Sequence, residues 1–132
     1  HDEPVCPDGQ YPFELTAPRA YFYASNIMNA RWPEAEPTIL TSAQYAYNYA
    51  KNVIRARWPE AEPTILTSPD FSYCYVEDVI RERWPEAEPL IMSSAKWAYR
   101  YARDLIKGRW PEAETVIKTD EAYWKWYKIA YL

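Results

Sequence analysis

Charged side chains recur in this chain at fixed intervals, and rows of them are the first place to look for chemistry. The phrase Arg-Trp-Pro-Glu-Ala-Glu begins at Arg31, Arg57, Arg83 and Arg109, a period of 26 residues. It aligns those arginines with Trp32, Trp58, Trp84 and Trp110, and with a row of carboxylates led by Glu34, Glu60, Glu86 and Glu112. Such a row could hold a hard cation or clamp a ligand. Carboxylates with no His or Cys among them are a weak metal signal, however. Identical residues at one period also stack on one another. The expectation is therefore structural: tryptophans forming an aromatic spine at the corners, each arginine bridging a glutamate of its own or the next unit.

Other chemistry is thinner still. His1 is the only histidine, and as a terminal copper ligand it lacks the second histidine such a site wants. No Ser/His/Asp set, Gly-rich phosphate loop or Cys-His ligand pair can be written from this sequence. No catalytic residue, metal or cofactor is expected. Cys6 and Cys74 fall more than two repeats apart, roughly 20 Å at an interhelical spacing of about 8–10 Å. A disulfide needs its Cα atoms within about 7 Å. Within one chain both are expected as free thiols, which favours a reducing compartment; the argument leaves a bridge between two chains open.

Partner choice belongs to the columns that vary between repeats. One stripe of the long segment carries Pro18, Phe22, Ser25 and Asn29 in the first copy, and Gln44, Asn48, Lys51 and Arg55 in the second. The third copy has Asp70, Cys74, Glu77 and Arg81, and the fourth Lys96, Arg100, Arg103 and Lys107. The stripe passes from neutral, through mildly basic and acidic, to four cations. It is the candidate protein-binding surface, together with Trp124 and Trp126 in the last segment. RNA binding through the basic fourth copy is the weaker alternative, because base-reading repeats need a shared pair of reading side chains and the acidic third copy interrupts the stripe.

These residues must be positioned by a repeated helical unit. A period in the range of roughly 20–50 residues marks a solenoid or array. Residues 16–41, 42–67, 68–93 and 94–119 are four copies, residues 5–15 a worn half-repeat, and 120–132 a terminal capping helix, all in one domain. The apolar positions 46, 47, 50, 53 and 54 have the spacing of one buried helix face. Thr16, Ser42, Ser68, Ser94 and Asp120 are placed to cap each helix start, Pro69 suits a first turn, and basic residues such as Arg55 and Arg57 are expected to close it. Trp-Pro then breaks the helix, and a short second helix is expected over Glu36–Thr41, with Pro37 in its first turn and Ile39 in the core. The fold class is all-α: a short α-solenoid of helix, turn and short helix.

At 132 residues, with 48% hydrophobic and 17% aromatic content, the chain can pack a core. A net charge of −4 argues against a nonspecific grip on nucleic acid, and no run of about 18 apolar residues calls for a membrane. The first residue is His1, not Met, so the chain is expected to have been trimmed, matured or cut from something longer. The string from Trp97 to Glu114 resembles tandem helical repeats in proteins of tailed bacteriophages and other large DNA viruses, loosely similar to leucine-rich-variant repeats. The resemblance implies a short-unit α-solenoid of viral origin, a virion component or a binder of a host factor, in the host cytoplasm or the virion. It brings no catalytic residues. Stacking of copies head to tail into a filament is the alternative.

Overall fold

The structure, a computed structural model, describes residues 14–132. The half-repeat 5–15 falls almost wholly outside them, as do His1 and Cys6. Among the described residues every regular element is helical. Long helices begin at α1 (Ala17–Phe22), α3 (Ala43–Tyr49), α5 (Pro69–Tyr75) and α7 (Ala95–Tyr101). Each widens at its end into a π-helical turn: Tyr23–Met28, Ala50–Ile54, Val76–Ile80 and Ala102–Ile106. A 3₁₀ turn follows Trp-Pro, and then a short helix: α2 (Glu36–Ile39), α4 (Glu62–Ile65), α6 (Glu88–Ile91) and α8 (Glu114–Ile117). The last helix, α9 (Glu121–Tyr131), is a regular α-helix.

Local chemistry explains the starts. The side chains of Thr16, Ser42, Ser68 and Ser94 accept from the backbone N–H three residues on, and Asp120 accepts from both Ala122 and Tyr123, which satisfies donors the helix itself cannot. Pro69 stands in the first turn of α5, where its missing N–H costs nothing. The helix ends differ from expectation. The helical run stops at Ile54, and Arg55 takes a left-handed conformation (φ 63°), its N–H donating to the Ala50 carbonyl at 2.7 Å. Asn29, Arg81 and Lys107 do the same. Arg57 therefore lies beyond the helix, in the corner, and Arg55 is its cap. The short helix, too, is entered earlier than Glu36, through the 3₁₀ turn Pro33–Ala35, and closes at Ile39.

Two layers result. Successive long helices pack side by side, from α1 through to α9, and each short helix wedges between its own long helix and the next. Close approach is possible because the facing residues are small: Ala46, Ala50, Ser72, Val76, Ala98 and Ala102 are all 0% exposed. Ile39, Ile65, Ile91 and Ile117 from the short helices and Trp32, Trp58, Trp84 and Trp110 from the corners are buried against them. Burial of each such side chain contributes on the order of 1.5–3 kcal/mol. This is the α-solenoid that the repeat predicts.

Candidate functional site

The phrase at the corner is consumed by a hydrogen-bonded clasp between neighbouring units. Arg31 binds Glu36 through two parallel bonds of 2.9 and 3.0 Å. Tyr49, from the next long helix, accepts from the Trp32 backbone N–H at 2.7 Å and donates to Glu36 at 2.7 Å. The same relay joins Arg57, Glu62, Trp58 and Tyr75, then Arg83, Glu88, Trp84 and Tyr101, and finally Arg109, Glu114, Trp110 and Tyr127. So each arginine pairs with a carboxylate of its own unit, the second glutamate of the phrase, and Arg57 also lies over the Trp84 ring of the next unit at 5.9 Å. Glu34, Glu60, Glu86 and Glu112 stand exposed on the 3₁₀ turns. Nor do the tryptophans build a spine on one another. Each ring lies against a tyrosine of its own long helix, with centroids 4.8–5.3 Å apart for Trp32, Trp58, Trp84 and Trp110.

The electrostatics follow from that geometry. Burial would raise the Glu36 carboxyl, but bonds from Arg31 and Tyr49 outweigh it and hold it below the usual range. Burial, and then the bond to Glu36, push Tyr49 up to about 12. Tyr75 and Tyr101 are raised for the same reasons. Among the described residues every buried side-chain N or O atom has a partner. The clasp's buried polar atoms are thus all partnered.

A second set of contacts ties the long helices to one another. Tyr21–Tyr45, Tyr47–Phe71, Tyr73–Trp97 and Tyr99–Tyr123 form ring pairs at 4.8–5.9 Å, one rung per junction. The hydroxyls of Tyr47 and Tyr73 donate to Asp78 and Asp104, and Asn52 donates to Tyr21. These tyrosines are the residues that sequence reasoning missed. Their signal was present as columns of period 26, of which the helical spacing placed only position 47 on the buried face.

The variable stripe does lie on one open face of the long helices, but its charges are partly spent. Gln44 is exposed and Asn48 half-buried. Lys51 pairs with Asp78 at 3.5 Å and sits over the Tyr47 ring. Asp70 accepts from the Trp97 indole N–H, and Glu77 is exposed. Arg103 binds Asp104 at 2.8 Å and covers Tyr99, while Lys96 and Arg100 flank the Trp97 ring at 4.6 and 5.4 Å. Arg55, Arg81 and Lys107 are the left-handed caps, so the stripe's fourth column belongs to the helix ends. Arg55 and Arg81, with Lys51, Asn52 and Asp78, line a shallow polar groove of about 490 Å³. Cys74 is a free, half-buried thiol, pushed up by burial and by the charges of Asp78, Glu77 and Asp70.

The last helix separates the two tryptophans. Trp124 is half-buried, stacked on Tyr127 at 5.5 Å with Lys118 and Lys128 over its ring. Trp126 is 49% exposed beside Tyr99 and Tyr123, and Ile129 is 74% exposed. Among the described residues no group of three or more His, Cys, Asp or Glu side chains gathers as a metal site, and no helix is long and apolar enough to cross a membrane. No family model, curated protein or solved structure matches this chain.

Proposed function

We propose that this chain is a non-enzymatic helical-repeat module that binds a protein partner through the open face of its long helices. One observation carries the reading: most of the repeated columns go into the clasps and rungs between units, whereas the variable columns keep exposed side chains such as Gln44, Lys51, Glu77, Lys96 and Arg103. At the C-terminal end Trp126 is exposed beside Tyr99, whose ring Arg103 covers, and Ile129 is exposed on the same helix as Trp126. Tryptophan, tyrosine and arginine are the side chains most often found to dominate binding energy at protein interfaces. The resemblance to viral helical repeats supports a virion component or a host-factor binder, and the free thiol of Cys74 fits the reducing host cytoplasm or the virion.

The test is capture from host lysate by the wild type and by a variant with Lys96, Arg100, Arg103 and Lys107 all changed to Glu. A protein retained by the first and lost by the second, with helical content unchanged, is expected. Equal capture by both, or none by either, would count against the open face. RNA binding has less support, since Asp104 neutralises Arg103 and Asp70 and Glu77 interrupt the basic face. A gel shift with single-stranded RNA at low salt, where phosphate contacts are strongest, is expected to be blank.

A further inference from the structure

The long helices close on a row of cations that the backbone does not require. Arg55, Arg81 and Lys107 hold the left-handed position at the ends of three successive units, with φ of 63°, 63° and 60°. Glycine and asparagine enter that conformation with less strain, and the first unit closes on Asn29 in the same way. A cation complements the helix dipole from any position in the last turn, so the dipole gives no reason for charging the strained residue itself. Strained residues of this kind are a pointer to function.

Between the second and third units these ends border a groove. Its lining includes three cations, Lys51, Arg55 and Arg81, and one carboxylate, Asp78. Lys51 is spent on Asp78, at 3.5 Å. Arg55 and Arg81 each donate Nε–H to a carbonyl of their own unit, that of Asn52 at 3.5 Å and that of Asp78 at 3.3 Å. Both side chains are exposed, and neither forms an ion pair with a carboxylate among the described residues. Asp78 uses Oδ2 for the Tyr47 hydroxyl and Lys51, and its Oδ1 has no hydrogen-bond donor among the described residues. At the preceding junction the matching hollow, of about 160 Å³, has Ser25 and Asn29 in place of Lys51 and Arg55, and Asn52 in place of Asp78. The stack makes the hollow, and the sequence charges it.

We propose that this groove holds an acidic, extended segment of a partner protein, with successive carboxylates on Arg55, Arg81 and Lys107. Packed helices lie about 8–10 Å apart. A polyproline II chain makes one turn in three residues at about 3.1 Å each, so every third side chain returns to one face after roughly 9 Å. Glutamates at every third position therefore match the row, and a guanidinium can take a carboxylate through two parallel bonds. Such a chain leaves its own N–H groups unbonded, and Asp78 Oδ1 can accept one. A sugar-phosphate backbone has no N–H to give and would meet Asp78 as a like charge. The inference rests on the protein-binding reading and adds the chemistry of the partner.

The test is fluorescence anisotropy at low salt with a labelled peptide of four Glu-Pro-Ala repeats, beside a Gln-Pro-Ala peptide and an oligouridylate of matching length. Wild type should bind the glutamate peptide about tenfold or more tightly than either of the others. The Arg55→Asn, Arg81→Asn variant keeps the kind of residue that closes the first unit, and its affinity for the glutamate peptide should fall about tenfold or more. If that variant loses helical signal, Arg55→Gly, Arg81→Gly serves in its place. No binding of the glutamate peptide, equal binding of the glutamine peptide or the RNA, or a neutralised variant that binds as wild type does would each overturn the inference. Lysate capture separates it from the wider reading: a protein lost from the variant with Lys96, Arg100, Arg103 and Lys107 changed to Glu, yet kept by Arg55→Asn, Arg81→Asn, would overturn this inference alone.

Discussion

Each clasp tyrosine does two jobs through one oxygen, accepting from a buried tryptophan N–H and donating to a carboxylate already held by arginine. Tyr75→Phe keeps the ring against Trp84 but leaves the Trp58 N–H without its acceptor. Stranding a buried donor costs about 1–3 kcal/mol, which urea unfolding would register as a lower midpoint at unchanged slope. The same groups set the pH limits. Tyr49 is raised in the folded state to about 12 from an unfolded value near 10. Its contribution is therefore complete below pH 10 and is lost as pH rises towards 12. Glu36, Glu62 and Glu88 are lowered from about 4.5, so theirs is complete above that value and is lost as pH falls below it. Tyrosinate absorbance should rise in two steps, with the clasped hydroxyls ionising only as helical signal disappears. A single step near pH 10 in a still-helical protein would contradict the clasp.

Among the elements, the helix starts were legible because a cap is written in adjacent residues: Ser42 reaches an N–H three positions away. The ends were not. A left-handed cap is announced by Gly or Asn, and only Asn29 gives that signal; Arg55, Arg81 and Lys107 look like helix residues complementing the dipole. Those three carry a strain of about 1 kcal/mol each. Arg81→Val, whose branched side chain tolerates φ 63° poorly, should lower stability by at least about that much, while Arg81→Gly should be near neutral. Gly108 behaves oppositely. A Cβ there would meet nothing within 4 Å, its φ is not in the left-handed region, and other copies carry Ala30, Ala56 and Glu82. Gly108→Ala should therefore stabilise by about 0.4–1 kcal/mol through the unfolded chain, readable as a higher thermal midpoint.

For the molecule as a whole, period and patterning were enough to foresee stacked units of a long and a short helix. What they concealed was how the stripe's charges are spent. Lys51–Asp78 and Tyr73–Asp104 join residues 27 and 31 apart across a junction, and only the packed register reveals such partners. The rows of arginine and glutamate misled in the other direction: four identical phrases suggested contact among like residues, whereas the clasp pairs each corner with a tyrosine 17 positions downstream.

Because that tyrosine arrives with the following unit, every joint is written wholly within two adjacent cassettes. Splicing in a further copy of residues 42–67 after Thr67 would recreate every clasp, because Tyr49 stands in the column of Tyr75; the new seam would exchange Phe71 for Tyr45 and Asp78 for Asn52. The lengthened protein should fold, gain helical signal in proportion and unfold at a higher temperature, as expected where stability sums over nearest neighbours; a misfolded or less stable product would refute this. Unequal recombination between the segments that encode such similar cassettes could lengthen or shorten the chain by whole cassettes in a single genetic event, leaving the clasp at every surviving joint intact.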